Sequence, residues 1–234
     1  MIAPYRKVEQ CLNCCNVCYN SSMRLIETIK VLNDISCSQK GLFTTTQAKS
    51  VGVERYALSR LEKAGNIERL AQGIYRMGGA PSSRIEDVLA VWLSLDPGRA
   101  PGSRPESNSP VAMGATAAWL LELGEIGPAP YEFCCATRRQ TQRSNVILRI
   151  KDIDARSVGT VGGIPITPPE LIITDLIDNG EDLSLVGNVL GDALTRRLVK
   201  DEVRLAHQVN KRAAKAGVLR GDSLYKTILE GAVL

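Results

Sequence analysis

The sequence holds a single histidine, His207, the side chain most often recruited for proton transfer near neutral pH. It lies between Ala206 and Gln208 in a polar stretch that reads as a solvated helix face. No G-x-S-x-G, phosphate-loop glycine pattern or H-E-x-x-H occurs, so serine hydrolases, nucleotide hydrolases and zinc proteases of those types find no support. A D…(D/E)-x-K cluster in strand-like segments, which a nuclease would want, is also absent. Gly159 to Gly163 is glycine-rich, but a strand-like, proline-containing segment follows it, so it reads as a turn. Long apolar runs are missing too. The longest, Val111 to Leu121, contains Gly114 and Thr116 and falls short of the roughly 20 residues that cross a bilayer. Near the start, Arg6 and Lys7 precede Glu9, Gln10 and Asn13, so no signal peptide is expected. These absences point to a cytoplasmic protein that is not an enzyme, with no cofactor and no membrane partner.

What is present divides unevenly along the 234 residues. The net charge is +4, and the stretch from Arg24 to Gly79 alone carries nine basic and five acidic residues. The remainder from Ala80 onward is close to neutral. A positive excess confined to one segment suggests a nucleic-acid footprint. Four of the seven cysteines, Cys11, Cys14, Cys15 and Cys18, form CLNCCNVC near the start. They offer four thiolates to zinc, but adjacent Cys14 and Cys15 leave little chain to wrap a tetrahedron. Residues 1–22 have no hydrophobic periodicity, so the expectation is a disordered leader, with the fold starting at Met23 and zinc as the weaker alternative.

Within 23–79 the pattern is specific. Arg24 to Ile35 reads as a helix with Leu25, Ile26, Ile29 and Leu32 on one stripe. Gly41 breaks the chain, and one threonine of the Thr44-Thr45-Thr46 run caps a short helix ending near Val51. Gly52 turns, and a second helix runs from Glu54 to Ala64, stopped by Gly65. At 100° per residue Ala57, Leu58, Leu61 and Ala64 gather on one side, while Arg55, Tyr56, Ser59 and Lys63 fall opposite with Arg60 on the flank. Arginine reaches guanine edges, and tyrosine, serine and lysine hold phosphates. Asn66 to Leu70 and Ile74 to Met77 alternate as strands around Ala71-Gln72-Gly73, a hairpin that would act as a wing carrying Arg69, Gln72 and Arg76. The reading is a winged helix-turn-helix, with Thr45 also among the DNA-contact candidates.

Beyond it, residues 80–110 read as a helix (Ile85 to Leu95) and a mobile Pro/Ser/Gly-rich linker, and 111–234 as a mixed α/β domain with a small sheet. The class expected for the whole chain is α+β. Val111 to Leu123 is expected to be helical. Tyr131 to Ala136 and Asn145 to Ile150 read as strands joined by a basic hairpin loop whose Arg138, Arg139 and Arg143 are candidate contacts for a partner or nucleic acid. Thr167-Pro168-Pro169-Glu170 reads as a threonine-capped helix start, with that helix ending at Asn179-Gly180. Three more helices are expected, Leu183 to Leu198, Asp201 to Ala216 and Asp222 to Leu229. Asp175, Asp178, Glu181 and Asp182 offer a metal site only weakly, since most surround a helix end.

The segment GLFTTTQAKSVGVERYALSRLEKAGNIERLAQGIYRM resembles the N-terminal domain of AbiEi-family antitoxins. Gly41, Phe43, Thr44, Ala48, Gly52, Leu58, Leu61, Gly65, Gly73, Ile74, Tyr75 and Arg76 occupy that domain's recurring positions. Ala117-Ala118-Trp119-Leu120, Tyr131-Glu132-Phe133, Thr137 to Arg143 and the run Gly163 to Leu176 resemble the family's second half, with Glu170 where arginine is common. The resemblance implies a DNA-binding antitoxin that represses its own operon promoter and counters a nucleotidyltransferase toxin. Two other readings remain open: a winged-helix regulator of other genes with a ligand-sensing or dimerising C-terminal domain, and a winged helix fused to a nuclease-like domain.

Overall fold

The computed structural model describes residues 25–100, 109–217 and 223–231. The cysteine-rich leader, with Cys11, Cys14, Cys15 and Cys18, and most of the expected linker lie outside them. Two compact units divide between Ser83 and Arg84.

The first unit begins with helix α1 over 25–36, a 3-10 turn at Cys37–Gln39, and the short strand β1, Leu42–Thr44. Helices α2 (Thr45–Ser50) and α3 (Arg55–Lys63) follow, then strands β2 (Ile67–Ala71) and β3 (Ile74–Met77). All three strands pair antiparallel in the order β1-β3-β2. Leu32, Phe43, Ala48, Val53, Leu58, Leu61, Ile67 and Met77 form the core between helices and sheet. Phe43 sits directly opposite Tyr75 across β1 and β3, the rings stacked at 5.7 Å.

Thr44 is the threonine that caps α2. Its hydroxyl accepts from the Gln47 N–H at 3.0 Å, and its own N–H donates to Gln47 Oε1 at 2.9 Å, a complete capping box. The relay continues inward. Gln47 Nε2 donates to Gln39 Oε1 at 2.9 Å, and Gln39 Nε2 donates to the Ile35 carbonyl at 2.6 Å, with both glutamines buried. Gly52, at φ +83°, makes the turn into α3. A Schellman closure ends that helix: Gly65 N–H donates to Glu62 O at 3.0 Å and Asn66 N–H to Leu61 O at 2.9 Å.

The second unit packs helices around a five-stranded mixed sheet, with α4 (Glu86–Leu95) preceding it. Six consecutive residues of α4, Val88 to Leu93, are buried, the mark of a helix enclosed on every side. Trp92 Nε1 donates to the Pro110 carbonyl at 2.9 Å. The strands are β4 (Val111–Ala112), β5 (Tyr131–Cys135), β6 (Val146–Ile150), β7 (Gly159–Val161) and β8 (Ile164–Ile166), in the order β6-β5-β4-β8-β7. The helices are α5 (Gly114–Leu120), α6 (Pro169–Asn179), α7 (Leu183–Thr195), α8 (Glu202–Asn210) and α9 (Leu224–Glu230). The molecule is thus α+β with two small sheets.

Three local expectations are corrected. Val111 and Ala112 are strand, not the start of a helix, because they pair with Cys134 and Phe133; the helix begins only at Gly114. The run is buried on all sides, so its apolar pattern carries no period that separates strand from helix. β5 and β6 run parallel, Tyr131 opposite Val146 through Cys135 opposite Ile150, so 136–145 is a crossover and not a hairpin loop. Thr167 does not cap α6. Pro168 holds the cap position, while Thr167 is fully buried with its N–H donating to Ala112 O at 2.9 Å. The last three helices are also shorter than their patterns implied.

Gly114 joins β4 to α5 at φ +52°, and a side chain there would collide with the buried Glu132 carboxylate. Gly114→Ala is expected to cost about 2–3 kcal/mol through left-handed backbone strain and that collision; urea denaturation of wild type and variant measures it, and an unchanged midpoint would refute the collision. Gln47→Ala removes two buried side-chain hydrogen bonds and is expected to cost about 2–3 kcal/mol. A loss under about 0.5 kcal/mol in the same denaturation would show the amide relay to be dispensable.

Candidate nucleic-acid interface

Helix α3 divides cleanly into two faces. Leu58 and Leu61 are 1% exposed and Ala57 is half-buried, while Arg55, Tyr56, Ser59, Arg60 and Lys63 are all exposed. Ala64, grouped with the apolar face from sequence, is instead the exposed C-cap. The side chains of Arg55, Arg60 and Lys63 make no hydrogen bond or ion pair with any described residue. Several other arginines differ. Arg84 lies over Trp119 and pairs with Glu122, Arg99 pairs with Asp96, and Arg212 with Asp178.

The hairpin β2–β3 follows α3 directly, with Gln72 exposed at its turn. Arg69 is exposed, its Nε donating to Ala71 O at 3.4 Å. Arg76 is different from the other candidates. β3 is the middle strand, Glu68 stands directly opposite Arg76, and the two form an ion pair that leaves the arginine side chain 17% exposed. Thr45 is half-buried, and its N–H donates to Gly73 O at 2.9 Å, so it fastens the hairpin turn to the start of α2. Its hydroxyl adds a weaker bond to the same carbonyl at 3.4 Å. Thr46 and Lys49, not singled out from sequence, are exposed side chains of α2. Lys49 had a legible signal, being a cation on the short helix before the turn.

In the second unit, Arg138 is exposed, while Arg139 and Arg143 are half-buried. Arg139 Nη1 donates to the Leu95 carbonyl at 2.8 Å. Thr137, Arg138, Arg139 and Gln140 border a 270 Å³ pocket with Arg149 and Cys135, beyond the ends of the parallel strands β5 and β6. Two basic groups on its rim are therefore already anchored within the unit.

Sequence reasoning missed a polar layer between this sheet and α6. Alternate residues of β5 and β6 supply Glu132, Cys134, Arg149 and, just past β6, Lys151, while α6 supplies Asp175 and Asn179 one turn apart. Glu132 is 5% exposed and accepts from Asn179 Nδ2 at both oxygens, 3.1 and 3.0 Å, with Arg149 at 3.4 Å. Burial pushes its carboxyl above the ordinary range, against the pull of Arg149 and Asn179. Asp175 is raised by burial too, against its bond to Lys151 Nζ at 2.6 Å. Burial pushes the Cys134 thiol up to about 12, so it stays protonated and packs as a small apolar group. Asp178 is occupied by Arg212 and Lys215, and Asp182 caps α7, so three of the four acids noted from sequence have structural tasks. Among the described residues no group of three acidic, cysteine or histidine side chains is placed to hold a metal ion. His207 is exposed on α8. None of the described helices is long and apolar enough to cross a membrane.

No curated protein matches the chain. The stretch that holds α2, α3 and the hairpin does match: residues 32–78 fit the family model described as a transcriptional regulator, AbiEi antitoxin.

Proposed function

We propose that residues 23–79 form a winged helix-turn-helix that binds double-stranded DNA, with α3 in the major groove and the β2–β3 hairpin as the wing. The observation that carries this reading is the outer face of α3, where three cations are exposed and make no hydrogen bond or ion pair with any described residue. Such charges are available to displace counterions from phosphates and to reach guanine edges. Arg55, at the first position of the helix, is the base-reading candidate, since base contacts concentrate at the N-terminal end of a recognition helix. Tyr56, Ser59, Arg60 and Lys63 line the same approach, with Arg69, Gln72 and Thr45 at the flank. Arg76 is assigned to holding the hairpin through Glu68.

The family match supports a further step: an antitoxin that represses its own operon and counters a nucleotidyltransferase toxin, the second task falling to residues 111–234. Arg138, Arg139 and Arg143 are the contacts proposed for the partner there.

Arg55→Ala is expected to cost about 1–3 kcal/mol of binding at the specific site, and Lys63→Ala to weaken all sequences alike. Gel-shift titrations on the promoter fragment at several salt concentrations test this, and full affinity in both variants would sink the assignment of α3. The full chain carrying both substitutions is expected to lose repression yet still rescue growth when the toxin is expressed. Loss of rescue together with repression would favour a plain repressor.

A further inference from the structure

The outer face of α3 carries an aromatic ring among charged and polar neighbours. Tyr56, its second residue, is 69% exposed and is the one aromatic among the exposed large hydrophobic side chains of the described residues. Its hydroxyl makes no hydrogen bond with any described residue. Ser59 and Arg60 lie three and four residues on and so share its side of the helix, with Lys63 one turn further. Among the described residues the ring is no part of the core, which Leu58 and Leu61 fill beneath α3.

A side chain that only holds phosphate needs a donor, and Ser59, Arg60 and Lys63 supply donors on the same face. Tyr56 adds something those three lack, a broad apolar surface kept in water. It stands at the N-terminal end of α3, where a helix entering the major groove meets base edges. The apolar group displayed along that groove is the C5 methyl of thymine.

Resting on the reading of α3 as the recognition helix, we propose that Tyr56 packs its ring against the C5 methyl of a thymine, so that the bound DNA site carries a thymine facing the start of α3. The contact uses the ring, and the hydroxyl is incidental to it. This makes Tyr56 a specificity-determining residue, in contrast to the phosphate-holding cations beside it.

The experiment begins with the full chain selecting sites from a pool of random duplexes, followed by replacement of each selected thymine with uracil. That exchange deletes one methyl group and leaves the protein and all hydrogen-bonding edges untouched. Uracil at one position of the selected site is expected to weaken binding about fourfold, the size of one buried methyl, with the other positions unaffected. Tyr56→Phe keeps this discrimination. Tyr56→Ala abolishes it, so that thymine and uracil duplexes bind alike. The proposal is overturned if no thymine in the selected site responds to uracil, if the response persists in Tyr56→Ala, or if Tyr56→Phe loses discrimination as Tyr56→Ala does. A pool that yields no enriched sequence overturns the DNA-binding reading itself and removes this inference with it.

Discussion

The first unit depends on a short relay of buried amides. From the Ile35 carbonyl through Gln39 and Gln47 to the Thr44 N–H, each link is a hydrogen bond of a buried glutamine side chain. The relay joins the end of α1, the 3-10 turn, the end of β1 and the first turn of α2. Breaking one link strands a polar group in a dry interior, where it costs far more than the same break would at the surface. The Ala48 carbonyl one residue past Gln47 accepts from Val53 N–H at 2.9 Å, which fixes the turn into α3. The turn into α3, which presents Arg55, Tyr56, Ser59, Arg60 and Lys63 outward, is thus tied to a buried glutamine pair of the same unit. A surface that must match a rigid groove gains from support of this kind.

In the second unit Arg84, Arg99, Arg149, Lys151, Arg212 and Lys215 answer acids of the same unit. Among the described residues the cations of α3 answer none. Burial of Glu132 and Asp175 in the polar layer between sheet and α6 is offset by Arg149, Asn179 and Lys151, although Asp175 Oδ2 is buried with no hydrogen-bond partner among the described residues. Such a layer is tolerated because its members hold each other, and removal of any one would leave a charge uncompensated.

The first unit was legible where local rules act. Gly52, Gly65 and Gly73 mark turns through φ angles of +83°, +74° and +73°, and the alternation of Leu58 and Leu61 with exposed residues sets the faces of α3. The ion pair of Arg76 with Glu68 is defined by hairpin register, and the eight-residue spacing across a tight turn could have shown it. The second unit was less legible because its determinants are non-local. Val111 and Ala112 become strand only through Cys134, Phe133 and Ile166, and β6 lies parallel to β5 although a short connection suggests the opposite. Glu132, Asn179 and Arg149 stand far apart in sequence, and nothing in their spacing announces that they meet.

The pairing of β4 with β8 also bears on how the chain is made. Ala112 lies beside Ile166 in the interior of the five-stranded sheet, so that sheet cannot close until β8 has been synthesised. The first unit closes with Met77, through strand partners all drawn from the preceding residues. On the ribosome, an N-terminal unit of mostly short-range contacts therefore completes its fold while the second sheet still waits for β8. The α3 face is formed on the nascent chain well before the rest of the molecule exists.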